Sequence, residues 1–366
     1  MTREIGIGIL GGGYMGKAHA VAMSAVGAVF NTHLRPRLEM VCASTPDSAE
    51  RYRSAYGFSR ATDDWRVLVN DPKVDAIVIA LPPSYHRDIA QAAFDLGKPV
   101  FCEKPLGGSL ADAQAMTDAA QRAGVTNMIG FNYIRTPASQ FARKLIADGA
   151  IGDVTWFRGE HTEDFYADPQ SPFTWRGQDV ANGTMGDLAP HMINAALALI
   201  GPISQVMGDI ETVIANRPGG TVTNDDHAQL MCRFASGVMG QMYFSRVATG
   251  RKMGYAYEVT GTKGAIRFDQ EDQNALWVYK MDDPEEIRGF RKVLTGPAHP
   301  DYLPFCQGPG HGTGYQDQII IEARDFLQAI ETGAPVWPTF QDGLEVSKVV
   351  YAALKSAEEK TWVSVS

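Results

Sequence analysis

Short apolar runs alternate with longer stretches of helical spacing through the first third of the chain. The apolar runs fall at residues 5–10, 38–43, 76–81, 100–102 and 126–131, and the helical stretches fall at 14–26, 48–56, 85–96 and 109–123. Strands that alternate with helices of this length predict right-handed crossovers and a parallel sheet. We therefore predict an α/β domain over residues 1–131.

The pattern changes after residue 131. A helical stretch at 137–147 is followed by runs rich in Val, Thr, Phe and Tyr with few helices between them, at residues 154–159, 205–214, 227–234, 237–246, 256–260, 265–268 and 276–279. Consecutive strands joined by short turns predict an antiparallel sheet. Further helical stretches at 188–200, 316–331 and 344–360 complete an α+β domain, which we predict over residues 132–366.

Composition narrows the class of protein. The chain has 366 residues, a size that suits two domains, and a net charge of -9. This charge argues against a nucleic-acid or anionic-membrane partner, because phosphate would be repelled. We find no signal peptide and no run of about 18 apolar residues that could span a membrane. The four cysteines form no C-x-x-C pair, which favours reduced thiols in a cytoplasmic protein.

A glycine-rich turn follows the first predicted strand and opens the first predicted helix. In the segment ILGGGYMG, Gly11, Gly13 and Gly16 have G-x-G-x-x-G spacing. In this position the first glycine permits a tight turn, the second lets the backbone approach a pyrophosphate, and the third allows close packing of helix on strand. The N-terminus of the helix would then bind the phosphates of a dinucleotide.

The residues at the end of the second predicted strand indicate which dinucleotide the protein is expected to bind. An acidic residue usually binds the ribose 2′-hydroxyl there, but this chain has Ala43, Ser44 and Thr45. Hydroxyl groups at a helix N-terminus suit a 2′-phosphate better than a carboxylate does, so the sequence favours NADP over NAD. Asp47 leaves NAD open, because its carboxylate could still reach the ribose.

Glu103, Lys104 and Pro105 end a short strand of the parallel sheet. Ligands of such sheets bind beyond the carboxyl ends of the strands, so this tripeptide is predicted to face the nicotinamide. Pro105 restricts the backbone of Lys104 and aims its side chain. Lys104 could then hydrogen-bond or exchange a proton with a substrate hydroxyl, although a lysine in an ordinary loop would have the same local pattern.

The segment GTMGDLAPHMIN combines an aspartate and a histidine at helical spacing. Pro190 is tolerated only in the first turn, so the helix is predicted to begin near Asp187. Residues four apart share a face, so Asp187 and His191 can meet, with Asn194 one turn along. An aspartate beside a histidine stabilises its protonated form, as a general base requires. A capping aspartate and a structural core histidine would give the same spacing.

Two further segments carry clusters of polar side chains. Glu160, His161, Glu163 and Asp164 lie close together in the sequence and have metal-ligating side chains. Strand alternation would send neighbouring side chains to opposite faces, so we interpret this segment as a solvated or substrate-rim loop and predict no metal. The segment GPGHGTGYQDQ contains His311 and Tyr315, and its glycines could let the backbone approach a sugar.

Taken together, these motifs resemble the Gfo/Idh/MocA oxidoreductase family, named for glucose–fructose oxidoreductase and inositol dehydrogenase. The resemblance covers most of the chain, and the segments that carry it occur in the family's order: GILGGGYMGKAHA, FCEKPLGGSLADA, GFNYIRTPA, IGDVTWFRGEH, FTWR and GDLAPHMIN. It implies a Rossmann domain followed by a domain with an open, mostly antiparallel sheet. The outer face of that sheet implies a homodimer or homotetramer.

The resemblance also implies roles for individual residues. Lys104, Asp187 and His191 correspond to the catalytic lysine, aspartate and histidine of the family. The residues expected to bind the cofactor are Gly11, Gly13, Tyr14, Met15, Gly16, Ser44, Thr45, Pro82, His86, Glu103, Lys104, Asn132 and Arg176. Those expected to bind the substrate are Lys104, Tyr133, Asp187, His191, Asn194, His311 and Tyr315. Asn194 replaces an aspartate that is common in the family.

These observations lead to one functional hypothesis and two alternatives. We predict reversible hydride transfer between nicotinamide and a secondary alcohol of a sugar, polyol or glycoside. His191 would exchange the hydroxyl proton with help from Asp187, and Lys104 would stabilise the developing charge on the oxygen; which of Lys104 and His191 is the formal base stays open. The alternatives are NAD-assisted cleavage of a glycosidic bond without net redox change and a non-catalytic dinucleotide sensor.

Overall fold

The structure is a computed structural model that describes residues 2–366. The chain folds into two compact units. The first unit runs to Arg135 and also includes Gly314–Leu344, and the second comprises Thr136–Thr313 and Glu345–Ser366. The division differs from the predicted domains at residues 132–135 and 314–344, which we had placed in the second domain. The reason is packing, because Phe326 from this late segment contacts Phe101 and Gln316 donates to the carbonyl of Ala18.

The first unit contains a six-stranded parallel sheet with helices. Its elements are β1 (Arg3–Leu10), α1 (Tyr14–Phe30), β2 (Leu34–Cys42), α2 (Pro46–Tyr56), β3 (Arg60–Thr62), α3 (Trp65–Asn70), β4 (Ala76–Ile79), α4 (His86–Asp95), β5 (Val100–Glu103), α5 (Leu110–Ala123) and β6 (Asn127–Gly130). The strand order is β3-β2-β1-β4-β5-β6, with every neighbouring pair parallel. This order brings the carboxyl ends of β1, β4 and β5 side by side at the point where the order reverses, the usual place for a ligand.

The second unit contains a nine-stranded sheet and its covering helices. Its elements are α6 (Pro137–Ala147), β7 (Val154–Thr162), α7 (Thr184–Asp187), α8 (Ala189–Leu199), β8 (Ile203–Glu211), β9 (Asn216–Arg217), β10 (Gly220–Thr221), β11 (His227–Phe234), β12 (Met239–Ser245), β13 (Gly254–Gly261), β14 (Gly264–Asp269), β15 (Ala275–Lys280) and β16 (Arg291–Leu294). Helix α9 (Tyr315–Thr332) belongs to the first unit, α10 (Phe340–Glu359) begins in the first and continues in the second, and β17 (Val363–Ser364) ends the sheet.

The large sheet has the strand order β16-β15-β14-β13-β7-β12-β11-β8-β17. All its pairs are antiparallel except β7 with β12, which is parallel. Burial alternates along β11, where Leu230 and Cys232 are buried and Gln229 and Met231 are exposed. One face is therefore packed and the other open, and the predicted fold class, an α/β Rossmann domain with an α+β domain, is confirmed.

Three helices cover the buried face of this sheet. On α6, the Ser139 hydroxyl accepts a hydrogen bond from Tyr257 of β13 at 3.1 Å. On α8, Met192 packs so closely on Gly159 of β7 that a β-carbon at the glycine would lie 2.5 Å from its sulfur. In α10, Ser356 accepts a hydrogen bond from the Gly208 backbone of β8. This packing places α8, which carries His191, directly on β7.

Several short elements escaped the sequence analysis. Strand β3 and helix α3 have three and six residues, and β16 is an edge strand in which no side chain is buried. Such segments are too short, or too exposed, to show a hydrophobic period. The parallel pairing of β7 with β12 was also not predicted, because pairing partners are set by tertiary structure rather than by local pattern.

Within residues 2–366, no helix has the length and apolar character needed to cross a membrane. The four cysteines form no disulfide. The cytoplasmic location that we inferred from the cysteines stays a prediction.

Candidate active site

The three predicted glycines form the turn between β1 and α1. Gly11 has a φ of 99°, and a side chain at Gly16 would lie 1.9 Å from the Gly11 carbonyl oxygen. A β-carbon on Gly13, in contrast, would meet nothing within 4 Å, and the first turn of α1 contains no acidic residue. The N-terminus of α1 therefore borders open space without a competing negative charge, which fits the pyrophosphate of a dinucleotide.

Four aromatic or sulfur-containing side chains gather beside this turn. The ring of Tyr315 stacks on Tyr14 at 5.7 Å and lies 6.2 Å from the ring of Tyr133. Its hydroxyl donates to the sulfur of Met15 at 3.2 Å, and burial raises the pKa of Tyr315. The structure thus brings together two residues predicted to bind cofactor, Tyr14 and Met15, and two predicted to bind substrate, Tyr133 and Tyr315.

The segment after β2 forms the predicted helix cap. Thr45 caps α2: its hydroxyl accepts the Ser48 N–H at 3.2 Å, and Pro46 begins the helix. Ser44 is exposed, and Asp47 adds a negative charge to the first turn of α2. The Thr45 hydroxyl is therefore already engaged by the helix, while the side chains of Ser44 and Asp47 are exposed.

His86 connects the segments that follow β4 and β5. Its side chain is fully buried, with Nε2 2.8 Å from the Leu81 carbonyl oxygen and Nδ1 3.1 Å from that of Pro105. Burial lowers its pKa, so the ring is neutral. Because it is buried, its contribution to the site is to hold these two segments, one of which contains Pro82. Its predicted contact with the cofactor stays a prediction.

The tripeptide Glu103-Lys104-Pro105 lies where the sequence predicted it. Glu103 is the last residue of β5, and its Oε1 lies 2.7 Å from Nε2 of the buried His19 in α1. Lys104 follows at the carboxyl edge of the sheet with a half-buried side chain, and the Lys104–Pro105 peptide is cis. Glu103 is thus anchored to the helix that begins at the glycine turn, which fixes the position of Lys104 relative to that turn.

Helix α9 adds polar groups that sequence reasoning missed. The Gln318 side chain accepts a hydrogen bond from the predicted cofactor residue Asn132 at 2.9 Å. One turn later, Glu322 is fully buried, and burial, followed by the charge of Glu103, raises its pKa well above the ordinary value. Burial therefore favours the protonated form of Glu322. Glu322 was missed because about 200 residues separate it from Glu103 in the sequence.

Arg176 and Asp187 meet in the second unit. Nη1 of Arg176 lies 3.3 Å from Oδ2 of Asp187. The guanidinium also lies over the rings of Trp175, at 4.5 Å, and Phe165, at 5.4 Å. We had predicted Arg176 only as a cofactor residue, and the structure shows in addition that it pairs with a predicted catalytic carboxylate.

A buried ion pair supports the segment that carries Arg176. Nε of Arg246 lies 2.8 Å from Oδ1 of Asp226, and both side chains are at most 1% exposed. Nη1 of Arg246 also donates to the carbonyl oxygens of Arg176, at 2.8 Å, and Asn182, at 3.0 Å. A buried guanidinium that donates its hydrogen bonds to backbone carbonyls fixes the conformation of this segment.

Asn224 and Asp225, which precede that ion pair, hold the same segment. The Asn224 amide donates to the carbonyl oxygens of Arg176, Gln178 and Asp179 at 2.9–3.1 Å. The Asp225 carboxylate accepts the N–H at residue 185 at 2.7 Å, within α7 and two residues before the predicted catalytic aspartate. The run Asn-Asp-Asp before β11 is the one sequence signal that could have indicated this support.

The buried Asp225 carboxyl predicts a dependence of stability on pH. Burial raises its pKa to about 6, whereas an unfolded aspartate titrates near pH 3.9. Between about pH 4 and pH 6 the folded protein holds a proton that the unfolded chain has lost, so the free energy of unfolding falls as pH rises through this window.

Asp225→Asn removes this decrease in the free energy of unfolding, and its amide oxygen can still accept the backbone N–H at residue 185. We expect its unfolding free energy, relative to the wild type, to increase by about 2 kcal/mol from pH 4.5 to pH 7 in urea titrations; parallel curves would contradict the assignment.

His191 and Asn194 lie on α8, which begins two residues after Asp187 as predicted. Both side chains are buried, at 6% and 2% exposure, and the His191 ring is 5.5 Å from the ring of His161. The amide oxygen of Asn194 accepts no hydrogen bond from any part of the chain that the structure describes. These two side chains therefore lie inside the unit rather than on its surface.

The acidic cluster at residues 160–164 separates into different ion pairs. Glu160 lies 3.4 Å from Arg251, Asp164 lies 2.7 Å from Lys252, and Glu163 lies 3.2 Å from the buried His161. Among residues 2–366, no group of three or more His, Cys, Asp or Glu side chains is arranged to hold a metal ion.

His311 lies in the predicted glycine-rich loop. Its Nδ1 is 3.4 Å from the sulfur of Cys306, and the side chain is exposed. Its predicted contact with substrate stays a prediction.

Comparison with protein families identifies both halves of the chain. Residues 5–131 match the oxidoreductase family with an NAD-binding Rossmann fold, and residues 139–267 match the GFO/IDH/MocA C-terminal domain. The two matches together cover well over half of the chain.

Characterised relatives align over nearly the whole length. The levoglucosan dehydrogenase of Pseudarthrobacter phenanthrenivorans is 38% identical, with 99% of this chain and 98% of the relative covered. The inositol 2-dehydrogenase of Rhizobium meliloti is 28% identical, with 98% of each covered.

Solved structures agree with these relatives. A levoglucosan dehydrogenase in complex with NADH and levoglucosan superposes with a TM-score of 0.97 at 39% identity, covering 99% of this chain and 100% of the other. The complex of levoglucosan dehydrogenase with NADH and L-sorbose gives a TM-score of 0.98, with both chains fully covered.

The comparisons confirm the predicted class of enzyme, an NAD(P)-dependent sugar or polyol dehydrogenase, and the family model describes an NAD-binding fold. The predicted preference for NADP over NAD has no support from them. The chain therefore belongs to the Gfo/Idh/MocA family of oxidoreductases, with an NAD-binding Rossmann domain and the C-terminal domain that defines the family.

Proposed function

We propose that this enzyme oxidises a secondary hydroxyl of a pyranose-sized sugar, and that a 1,6-anhydrosugar such as levoglucosan is the first substrate to test. The observation that carries the proposal is the full-length similarity to a levoglucosan dehydrogenase solved with NADH and levoglucosan. At 39% identity the similarity supports a class of substrate, and a panel of sugars and polyols distinguishes its members.

In the proposed reaction, the residues of this chain orient the substrate and move its proton. A bound NAD would supply the acceptor for the hydride that leaves the carbinol carbon. Lys104 donates a hydrogen bond to the carbinol oxygen and stabilises its developing negative charge. His191 takes the hydroxyl proton, and Asp187 stabilises the resulting imidazolium. Arg176 balances the charge of Asp187, to which it is already paired.

NAD is proposed as the preferred cofactor, in place of the NADP that the sequence favoured. Asp47 supports this choice, because a negative charge in the first turn of α2 disfavours a 2′-phosphate and can accept hydrogen bonds from ribose hydroxyls. The engagement of the Thr45 hydroxyl in capping α2 also supports it, since one predicted phosphate ligand is already used.

One experiment tests substrate class and cofactor together. The purified protein is incubated with NAD or NADP and a panel of levoglucosan, glucose, myo-inositol and L-sorbose, and reduced nicotinamide is followed by absorbance. We expect formation of NADH with at least one pyranose-sized substrate and a higher kcat/KM with NAD than with NADP. Absence of turnover with every sugar and polyol would contradict the proposed function, and release of an aglycone without NADH would indicate glycoside cleavage.

A homo-oligomer through the open face of the large sheet is also proposed. Met231 of β11 and Met239 of β12 are each about half exposed on this face, and Trp277 of β15 is 37% exposed. Apolar side chains on an uncovered sheet face favour association with a second copy. Light scattering of the wild type is expected to give a dimer or tetramer, and Met231→Lys is expected to shift it towards a smaller species; a monomeric wild type would contradict the proposal.

A further inference from the structure

The Gly12–Gly13 peptide group lies in the middle of the turn between β1 and α1. Glycines on both sides of this peptide restrict its rotation little. The flanking parts of the turn are held by backbone hydrogen bonds: the Gly11 N–H donates to the Cys42 carbonyl at 2.8 Å, and the Gly13 carbonyl accepts the Lys17 N–H at 2.9 Å. The orientation of the central peptide therefore depends on a further partner.

A tyrosine at the end of α2 supplies that partner. The Tyr56 hydroxyl donates to the Gly12 carbonyl oxygen at 3.0 Å. Burial raises the pKa of Tyr56, so the hydroxyl keeps the proton that it donates. Tyr56 is the last residue of α2, and the next two residues, Gly57 and the buried Phe58, both donate to the carbonyl of residue 53. The hydroxyl therefore comes from a helix end whose position is fixed on both sides.

A second tyrosine, one turn earlier in α2, packs on the same glycine. A β-carbon added at Gly12 would lie 1.9 Å from the ring of Tyr52. The rings of Tyr52 and Tyr56 stack at 5.6 Å with an angle of 17° between their planes. The G-x-G-x-x-G spacing does not require a glycine at position 12. The close approach of α2 gives this glycine a reason, because a larger residue would push the two stacked tyrosines away from the turn.

The hydrogen bond from Tyr56 also determines where the neighbouring N–H points. A trans peptide is planar, so the Gly12 carbonyl and the Gly13 N–H point in opposite directions, and this N–H is directed away from the tyrosine. Within residues 2–366 the Gly13 N–H donates to no oxygen atom, and a β-carbon on Gly13 would meet nothing within 4 Å. It therefore faces open space at the N-terminus of α1, where a phosphate oxygen is favoured.

We propose that Tyr56 is a positioning residue for the dinucleotide, whose hydrogen bond holds the Gly12–Gly13 peptide in the orientation in which the Gly13 N–H binds the pyrophosphate. The proposal rests on the proposed binding of NAD at the glycine turn and does not depend on which sugar is oxidised. Its physical basis is preorganisation. A peptide that spends only part of its time in the binding orientation lowers the apparent affinity in proportion.

Tyr56→Phe tests the proposal, because phenylalanine keeps the ring that stacks on Tyr52 and removes only the hydroxyl. The dissociation constant is measured for three probes: NADH, ADP-ribose, which has the pyrophosphate without the nicotinamide, and adenosine, which has neither. NADH and ADP-ribose are titrated by calorimetry, and adenosine is measured by its competition with NADH. We expect the variant to bind NADH and ADP-ribose about three- to tenfold more weakly, as one lost hydrogen bond implies, and adenosine as the wild type does.

The pattern across the probes separates a role at the pyrophosphate from general support of the fold. Equal weakening of all three probes would show that Tyr56 supports the whole site, and unchanged NADH affinity would show that its hydrogen bond does not set the peptide. Either result would overturn the proposal.

Tyr279→Phe is the matched control. It removes a tyrosine hydroxyl from β15, in the unit that does not contain the glycine turn. This variant is expected to bind the three probes as the wild type does. A loss of NADH affinity equal to that of Tyr56→Phe would show that the effect is not specific to α2, and would overturn the role of Tyr56.

Steady-state kinetics give a second readout once a substrate has been found. In Tyr56→Phe we expect kcat/KM for NAD to fall by the same factor as the affinity for NADH, with kcat at saturating NAD not reduced. A fall in kcat at unchanged kcat/KM for NAD would contradict a role in cofactor binding. If no sugar or polyol is oxidised, the proposed function fails, yet the binding measurements still decide the role of Tyr56.

Discussion

Replacing Lys104 by methionine is expected to reduce turnover by about a hundredfold or more while leaving NADH binding within a fewfold of the wild type. Methionine keeps the length and apolar stem of the side chain but removes the ammonium. The loss falls on the chemical step, because the ammonium stabilises negative charge that develops on the carbinol oxygen in the transition state. The affinity for NADH is preserved in this variant, because the glycine turn and the Glu103–His19 contact are unchanged.

The measurement pairs steady-state kinetics with fluorescence titration of NADH. Lys73→Met is the control, because Lys73 is an exposed lysine that precedes β4 and so lies at the opposite, amino end of the strands. It should behave as the wild type in both assays. Near-normal turnover of Lys104→Met would remove Lys104 from the chemistry, and a loss of NADH affinity as large as the loss of turnover would reassign it to cofactor binding.

Replacing His191 by asparagine is expected to reduce kcat/KM by about a hundred- to ten-thousandfold, with cofactor binding preserved. Asparagine retains a polar side chain on α8 but cannot take up a proton, so the hydroxyl must ionise without a base. The acidic limb of the pH profile should also disappear, since the group that titrates is gone.

His33→Asn serves as the comparison for this variant. His33 is an exposed histidine of the first unit that pairs with Glu331, and its replacement should change neither rate nor profile. If His191→Asn kept the wild-type rate and the acidic limb of the pH profile, His191 would not be the base. Lys104 would then be the remaining candidate. A reduced rate with an unchanged limb would assign His191 to substrate binding only.

Local pattern was sufficient to predict the elements that carry the cofactor. The alternation of apolar runs with helical stretches predicted the parallel sheet, and the glycine spacing located the turn between β1 and α1 that is predicted to bind phosphate. Both depend on interactions close in sequence: burial of a short strand, and the φ and close approach that only glycine allows at Gly11 and Gly16. Pro190 likewise located the start of α8, because proline is restricted to the first turn of a helix.

The sequence by itself therefore determined the class of fold and the glycine turn, and it singled out Lys104, Asp187 and His191, whose chemical roles stay predictions. Tertiary structure alone decided which distant groups support them. Helix α9 joins the first unit and places Glu322 near Glu103, Arg246 and Asp226 secure the segment of Arg176, and His161 proves to be buried against α8. These arrangements follow from packing between segments far apart in the chain, and a local hydrophobic period contains no information about which partner a buried polar group will find.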